Sequence, residues 1–200
     1  MEQKEATRWF KVSRVDTRGK ILDITDPDPH PTVYDPDDED SRTPKFAMNY
    51  TKYNTSTYQS EITHRHWIDQ DNLRLLAYDM LNEVCGIETE KGYKPILDEF
   101  KGGSAKAAGI ETLGENAKVS RRMSVVYNDK LDMGPVYQIH FILVEGQEGK
   151  NGQIEPVKGA TPLLKESVNI PVATARRIGI AILHYLQAKQ SDALVNHWAK

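Results

Sequence analysis

Residues 8–15, RWFKVSRV, alternate apolar and polar side chains at a period of two, the pattern of a half-buried strand. Thr17-Arg18-Gly19 then turns the chain into a second alternating run, Lys20 to Thr25, so a hairpin opens the sequence. Two further strands are predicted at Lys45 to Tyr53 and Tyr58 to Trp67, joined by the polar turn Asn54 to Thr57. From Asp69 the period changes to that of a helix. Leu73, Leu76, Ala77, Met80, Leu81 and Val84 share one face, and Gly86 is placed to end it. The same succession returns in the second half. Ala117 to Tyr127 and Pro135 to Glu145 read as a hairpin around Asn128 to Gly134, and Leu163 to Ile170 as another strand. Pro171 suits a first helical position, after which Ala175, Ile178, Ile182 and Leu186 continue an apolar stripe.

Sliding the chain by 102 residues lays Ile68 on Ile170, Arg74 on Arg176, Leu76 on Ile178, Ala77 on Gly179 and Met80 on Ile182. Any two amphipathic helices can be matched this way, but here each helix also follows strands in the same order. The expectation is an α+β protein of two repeats, each an antiparallel sheet followed by a helix. The first repeat spans 1–86 and the second 115–200, packed as one domain. Residues 87–114 read as a linker or excursion with a short helix at Pro95 to Phe100 and the small-residue stretch KGGSAKAAG.

Composition narrows the class. With 38 % hydrophobic and 28 % charged residues the chain is that of a globular protein. No run approaches the roughly 18 apolar residues of a membrane helix, and the charged Met1 to Arg8 offers no signal-peptide core, so a cytoplasmic protein is expected. Cys85, the single cysteine, reads as a small core residue.

The net charge of −3 is unevenly spread. Residues 26–41, DPDPHPTVYDPDDEDS, carry seven acidic side chains, four prolines and no Lys or Arg; the rest of the chain is therefore net positive. This acidic loop is expected to be solvated, and to offer a contact for a protein partner or a mimic of phosphate.

The richest candidate chemistry lies at 42–67. Arg42, Lys45, Lys52 and Arg65 face Glu61 alone and are interleaved with Phe46, Tyr50, Tyr53, Tyr58 and Trp67. Cations that follow phosphates and flat rings on which bases stack are what sequence-tolerant binding of single strands requires. On a strand, Tyr50 and Lys52 share one face and Asn49, Thr51 and Tyr53 the other, and the expectation takes Tyr50, Lys52 and Arg65 as ligand-facing. The opening hairpin adds Arg14, Arg18 and Lys20 beside Trp9 and Phe10, and the second half adds Arg121 and Arg122. His64 and His66 share a strand face but have no third ligand in the pattern. Asp35, Asp37 and Glu39 lack the glycine and distant glutamate of a calcium loop. No phosphate-loop, dinucleotide or nucleophile-elbow motif occurs, so no metal, cofactor or enzyme chemistry is expected.

The order of elements over about residues 8–190 resembles the Whirly family of single-stranded DNA-binding proteins. That family's lysine-rich signature is absent; Arg18-Gly19-Lys20-Ile21-Leu22 keeps only a basic-Gly-Lys turn before an apolar strand. The resemblance implies two sheets whose surfaces bind single strands, and a homo-oligomer. The functional expectation is thus a non-enzymatic protein that binds single-stranded DNA or RNA with little base preference and marked salt dependence. The alternative is an interaction or structural subunit of a phage or nucleoprotein assembly.

Overall fold

A computed structural model describes residues 9–28, 44–108, 110, 113–114 and 117–198, with side chains through 195. The fold is α+β. Strands β1 (Phe10–Thr17), β2 (Lys20–Asp26), β3 (Lys45–Tyr53) and β4 (Ser60–Asp69) form an antiparallel sheet in sequence order, and α1 (Gln70–Leu81) follows directly. After the small ribbon of β5 (Glu88–Thr89) and β6 (Gly92–Tyr93) comes a second antiparallel sheet. It comprises β7 (Leu97–Ser104), β8 (Lys118–Asn128), β9 (Val136–Glu148), β10 (Ile154–Pro156) and β11 (Leu164–Pro171). β8 lies on one side of β9; β10 and β11 pair with opposite ends of its other side. The chain closes with α2 (Val172–Trp198). Asp69 and Pro171, the last strand residues before each helix, stand 102 positions apart.

The inner faces of the sheets and the apolar stripes of the helices make one core. β3 contributes Phe46, Met48 and Tyr50, β4 Ile68, and β9 Tyr137, Ile139, Phe141 and Leu143. α1 brings Leu73, Leu76, Ala77 and Met80; α2 brings Ala175, Ile178, Ile182 and Leu186, the residues whose helical spacing marked them in the sequence. Across the sheets the Tyr50 and Phe141 rings lie 5.5 Å apart, and His64 meets the same Phe141 edge-on at 5.6 Å.

Several expectations are corrected. Residues 97–104 are strand β7, not a helix at Pro95 to Phe100: Leu97 to Ser104 pair with Val125 to Lys118, and Leu97 and Glu99 turn inward while Asp98 and Phe100 turn out. Gly102, read as part of a linker or excursion, is required by packing, because a Cβ there would lie 2.5 Å from Ile154 of β10. α1 stops at Leu81 rather than Gly86, since Glu83 turns to a left-handed φ of 54° and the side-chain amide of Asn82 folds back to donate to the Tyr78 carbonyl at 2.8 Å. Val84 is exposed and Cys85 only half-buried, so neither belongs to the core. Of the acidic run, Asp26 and Asp28 are described; Asp35, Asp37, Asp38, Glu39 and Asp40 lie outside the described residues, as does Arg42.

Candidate nucleic-acid interface

The two faces of the first sheet are chemically distinct, and register decides which residues share each. Leu22↔Tyr50↔His64 and Ile24↔Met48↔His66 are cross-strand rows of the inner face. Asp23↔Asn49↔Arg65 and Thr25↔Ala47↔Trp67 are rows of the outer one. Tyr50 and Lys52 do share a face, but it is the inner face. Tyr50 is 0 % exposed and its hydroxyl donates to Glu166 of β11 at 3.0 Å. Lys52 and Lys20 reach the same carboxylate at 3.1 and 3.2 Å, so Glu166 ties the sheets together. Burial and the Glu166 charge hold the Tyr50 phenol well above its ordinary range. Tyr50, Lys52 and Lys20 are therefore inter-sheet contacts rather than ligand-facing groups. The alternation shows which side chains travel together; it does not show which set a helix or second sheet will cover.

Arg121 is corrected in the same way. It is 3 % exposed, and its Nη1 donates to the backbone carbonyls of Arg65 (3.3 Å) and Ala107 (3.1 Å). Burial, and then the nearby Arg65 charge, lower its pKa. Its position pins β4 to the 105–108 turn, whose Ala108 carbonyl also accepts the Arg65 N–H at 2.8 Å. His64 and His66 point inward to different partners. His66 Nε2 lies 3.3 Å from a Glu99 oxygen, whose other oxygen takes the Asn72 amide at 2.5 Å, while His64 rests on Phe141.

The outer face carries the aromatic and cationic groups that the sequence led one to seek. The Arg65 guanidinium lies 4.2 Å from the Trp9 ring centroid and 5.8 Å from that of Trp67; the indoles are 5.5 Å apart at 55°. Its orientation is fixed from below, since Nε donates to Asn49 Oδ1 (2.9 Å) and Asn49 Nδ2 donates to Thr25 Oγ1 (2.9 Å). Half-burial lowers the Arg65 pKa, as expected where a cation sits against rings without a carboxylate. Beside it the sheet surface forms an open depression of about 360 Å³ that includes Asp23, Asn49, Thr51, Thr63 and Arg65 in its lining.

The remaining candidates are scattered. Arg14 is held by Asp16 at 2.7 and 2.8 Å, and Lys11 lies 3.2 Å from Asp23. Arg18 and Lys45 are exposed. Tyr58, 80 % exposed at the β3–β4 turn, stacks on Tyr53 with centroids 6.4 Å apart. Arg122 stands on the outer face of the second sheet, 5.1 Å from the exposed Phe100 ring and doubly bonded to Asp98 at 2.7 Å. Thus Arg65 and Trp67 come together, with Tyr53 on the same face; Arg122 is on a different sheet. Sequence reasoning set Trp9 beside the hairpin cations, within the alternating run 8–15, without making it a site residue, and it did not take Asn49 as one, because nothing local marks Asn49 as the group that fixes Arg65.

Compared with protein-family models, curated proteins and solved structures, the chain gives no match in any of the three.

Proposed function

We propose that this protein binds single-stranded nucleic acid on the outer face of its first sheet and acts as a binding protein rather than an enzyme. The observation that carries the reading is the Trp9, Arg65 and Trp67 group: a cation without a carboxylate partner among the described residues, packed on the Trp9 ring with the Trp67 indole alongside, on a sheet surface open to solvent. Bases stack on such rings with a gain of about 1 to 3 kcal/mol each, and the guanidinium adds charge without needing a particular sequence. A Whirly-like arrangement of two related halves is part of the same proposal. It is supported by the 102-residue spacing of the strand–helix junctions and by the meeting of Ala77 with Gly179, residues that the same spacing superposes.

Fluorescence polarisation with a labelled mixed-sequence oligonucleotide at low salt tests the reading. Micromolar binding is expected, weakened about ten-fold or more by Trp67→Ala, the loss of one stacked base. Absence of binding by the unaltered protein would overturn it.

A further inference from the structure

The depression beside Arg65 has a chemistry that a phosphate does not explain. Phosphate sites are lined by donors, and this one includes the Asp23 carboxylate, 22 % exposed, one strand beyond Asn49. Arg65 stands on the opposite side of Asn49 in the same cross-strand row, so its backbone is separated from that of Asp23 by two strand spacings, roughly 9.5 Å. The row therefore offers donors at one end and an acceptor at the other. Its middle is closed to exchange: Asn49 spends Oδ1 on Arg65 and Nδ2 on Thr25.

Arg65 is also more constrained than a cation that follows a backbone needs to be. Its Nε is taken by Asn49 and its flat face by Trp9, so a ligand meets it through the paired Nη groups in a set orientation. A pre-oriented pair of N–H donors fits two adjacent acceptors, the pattern that guanine shows at O6 and N7. Adenine puts an amino group in place of one acceptor, cytosine presents its N4 amino group, and thymine or uracil has a single carbonyl there. Guanine also carries, on its N1 and N2 side, donors that a carboxylate accepts.

Building on the single-strand reading, we propose that this depression is a guanine-selective subsite, with Arg65 as the specificity-determining residue reading O6 and N7 and Asp23 accepting from N1–H and the N2 amino group. Lys11, 3.2 Å from one Asp23 oxygen, is half-exposed on a long stem, and Arg14, whose Nη1 lies 4.0 Å from the other, is held by Asp16 at 2.7 and 2.8 Å, so that second oxygen is within reach of the base. The site makes one position of the bound strand selective while stacking elsewhere stays indifferent to sequence.

The test is a polarisation series on thymine tracts carrying one central guanine, 7-deazaguanine or hypoxanthine, against the all-thymine tract, with free 5′-GMP as competitor. The guanine tract should bind roughly ten-fold tighter than the all-thymine tract, as one good bidentate contact implies. 7-Deazaguanine, lacking N7, and hypoxanthine, lacking the N2 amino group, should each lose part of that gain. Arg65→Met should erase the difference between guanine and 7-deazaguanine and reduce the guanine-to-thymine ratio to the part that Asp23 supplies, and Asp23→Asn should erase the difference between guanine and hypoxanthine. Equal binding of guanine and thymine tracts by the unaltered protein would overturn the subsite and leave the single-strand reading standing. A difference between guanine and 7-deazaguanine that survives Arg65→Met would overturn the role of that residue. Binding of GMP without binding of any oligonucleotide would support the pocket and overturn the single-strand reading.

Discussion

Gly179 of α2 sits against the Ala77 carbonyl of α1 so closely that a Cβ at Gly179 would lie 2.6 Å from that oxygen. The opposing atom is backbone inside a helix, and it has no rotamer by which to move aside. A methyl group here pushes the helices apart along the stripe that buries Leu73, Leu76, Ile178 and Ile182. Gly179→Ala is expected to destabilise the fold by about 1 to 3 kcal/mol despite alanine's better helix propensity, because the strain of overpacking exceeds the gain of about 1 kcal/mol. Thermal unfolding checks this. The exposed neighbour change Ile180→Ala serves as reference and should move the midpoint little.

That contact also shows what was legible in the sequence. The helical stripes were readable because 3.6-residue periodicity has one apolar face, and a helix has only one way to bury it. The strand at 45–53 was readable to the residue, yet its inner and outer sets each mix aromatic and polar groups: Phe46, Tyr50 and Lys52 against Lys45, Asn49 and Tyr53. With both faces so mixed, only the partner surface decides, and the partner of Tyr50 is 116 residues away. β7 was hidden for a different reason. Its Gly102 and Gly103 lower strand propensity, and the benefit at Gly102, a close approach by Ile154, comes from another strand.

The inward placement of Tyr50 separates stability from binding. Tyr50→Phe removes one hydrogen bond to Glu166 while Lys20 and Lys52 still hold that carboxylate. The expected cost is about 0.5 to 1.5 kcal/mol in urea unfolding, with oligonucleotide affinity unchanged. Tyr50→Ala, which also leaves a cavity beside Phe141, should cost about 3 to 5 kcal/mol. A Tyr50→Phe protein of full stability but weakened binding would place the phenol at the ligand instead.

Acid should weaken the fold within a window set by the buried imidazoles. Burial, with the His66 and Arg121 charges added, holds His64 down to about 3 from its ordinary 6.5. Burial likewise lowers His66, against the opposing hydrogen bond to Glu99. As pH falls below about 6.5 the unfolded chain takes up protons that the folded chain refuses, so stability declines by up to about 1.4 kcal/mol per pH unit for His64 until its folded pKa is reached. Glu166 acts lower down. Burial raises its pKa, but the bonds from Lys52, Lys20 and Tyr50 outweigh that and hold it below 4.5, so its contribution is lost only beneath that value. Between pH 6.5 and 5 the slope belongs to histidine. Urea midpoints for His64→Leu should therefore vary less across that interval than those of the unaltered protein, and an identical slope would exclude His64 as the source.

Salt should separate stacking from phosphate contact. Most cations near the outer faces are engaged: Arg14 by Asp16, Lys11 by Asp23, Arg122 by Asp98 and Lys118 by Glu148. Lys20 and Lys52 are turned inward to Glu166. Arg18 and Lys45 remain exposed with no carboxylate bridged to them among the described residues. Each neutralised phosphate of a single strand contributes about −0.7 to the slope of log K against log salt, so two contacts give a slope of about −1 to −2. This is shallower than the marked dependence that the raw count of Lys and Arg suggests. Lys45→Ala should reduce the slope by about 0.7, because a removed phosphate contact takes its counterion with it. Arg14→Ala should leave the slope almost unchanged, as its charge is already met by Asp16 at 2.7 Å. A slope steeper than about −4 would mean that binding opens these ion pairs and recruits their cations to phosphate. Arg14→Ala and Arg122→Ala would then each flatten the slope, placing the binding energy in charge rather than in the Trp9 and Trp67 rings.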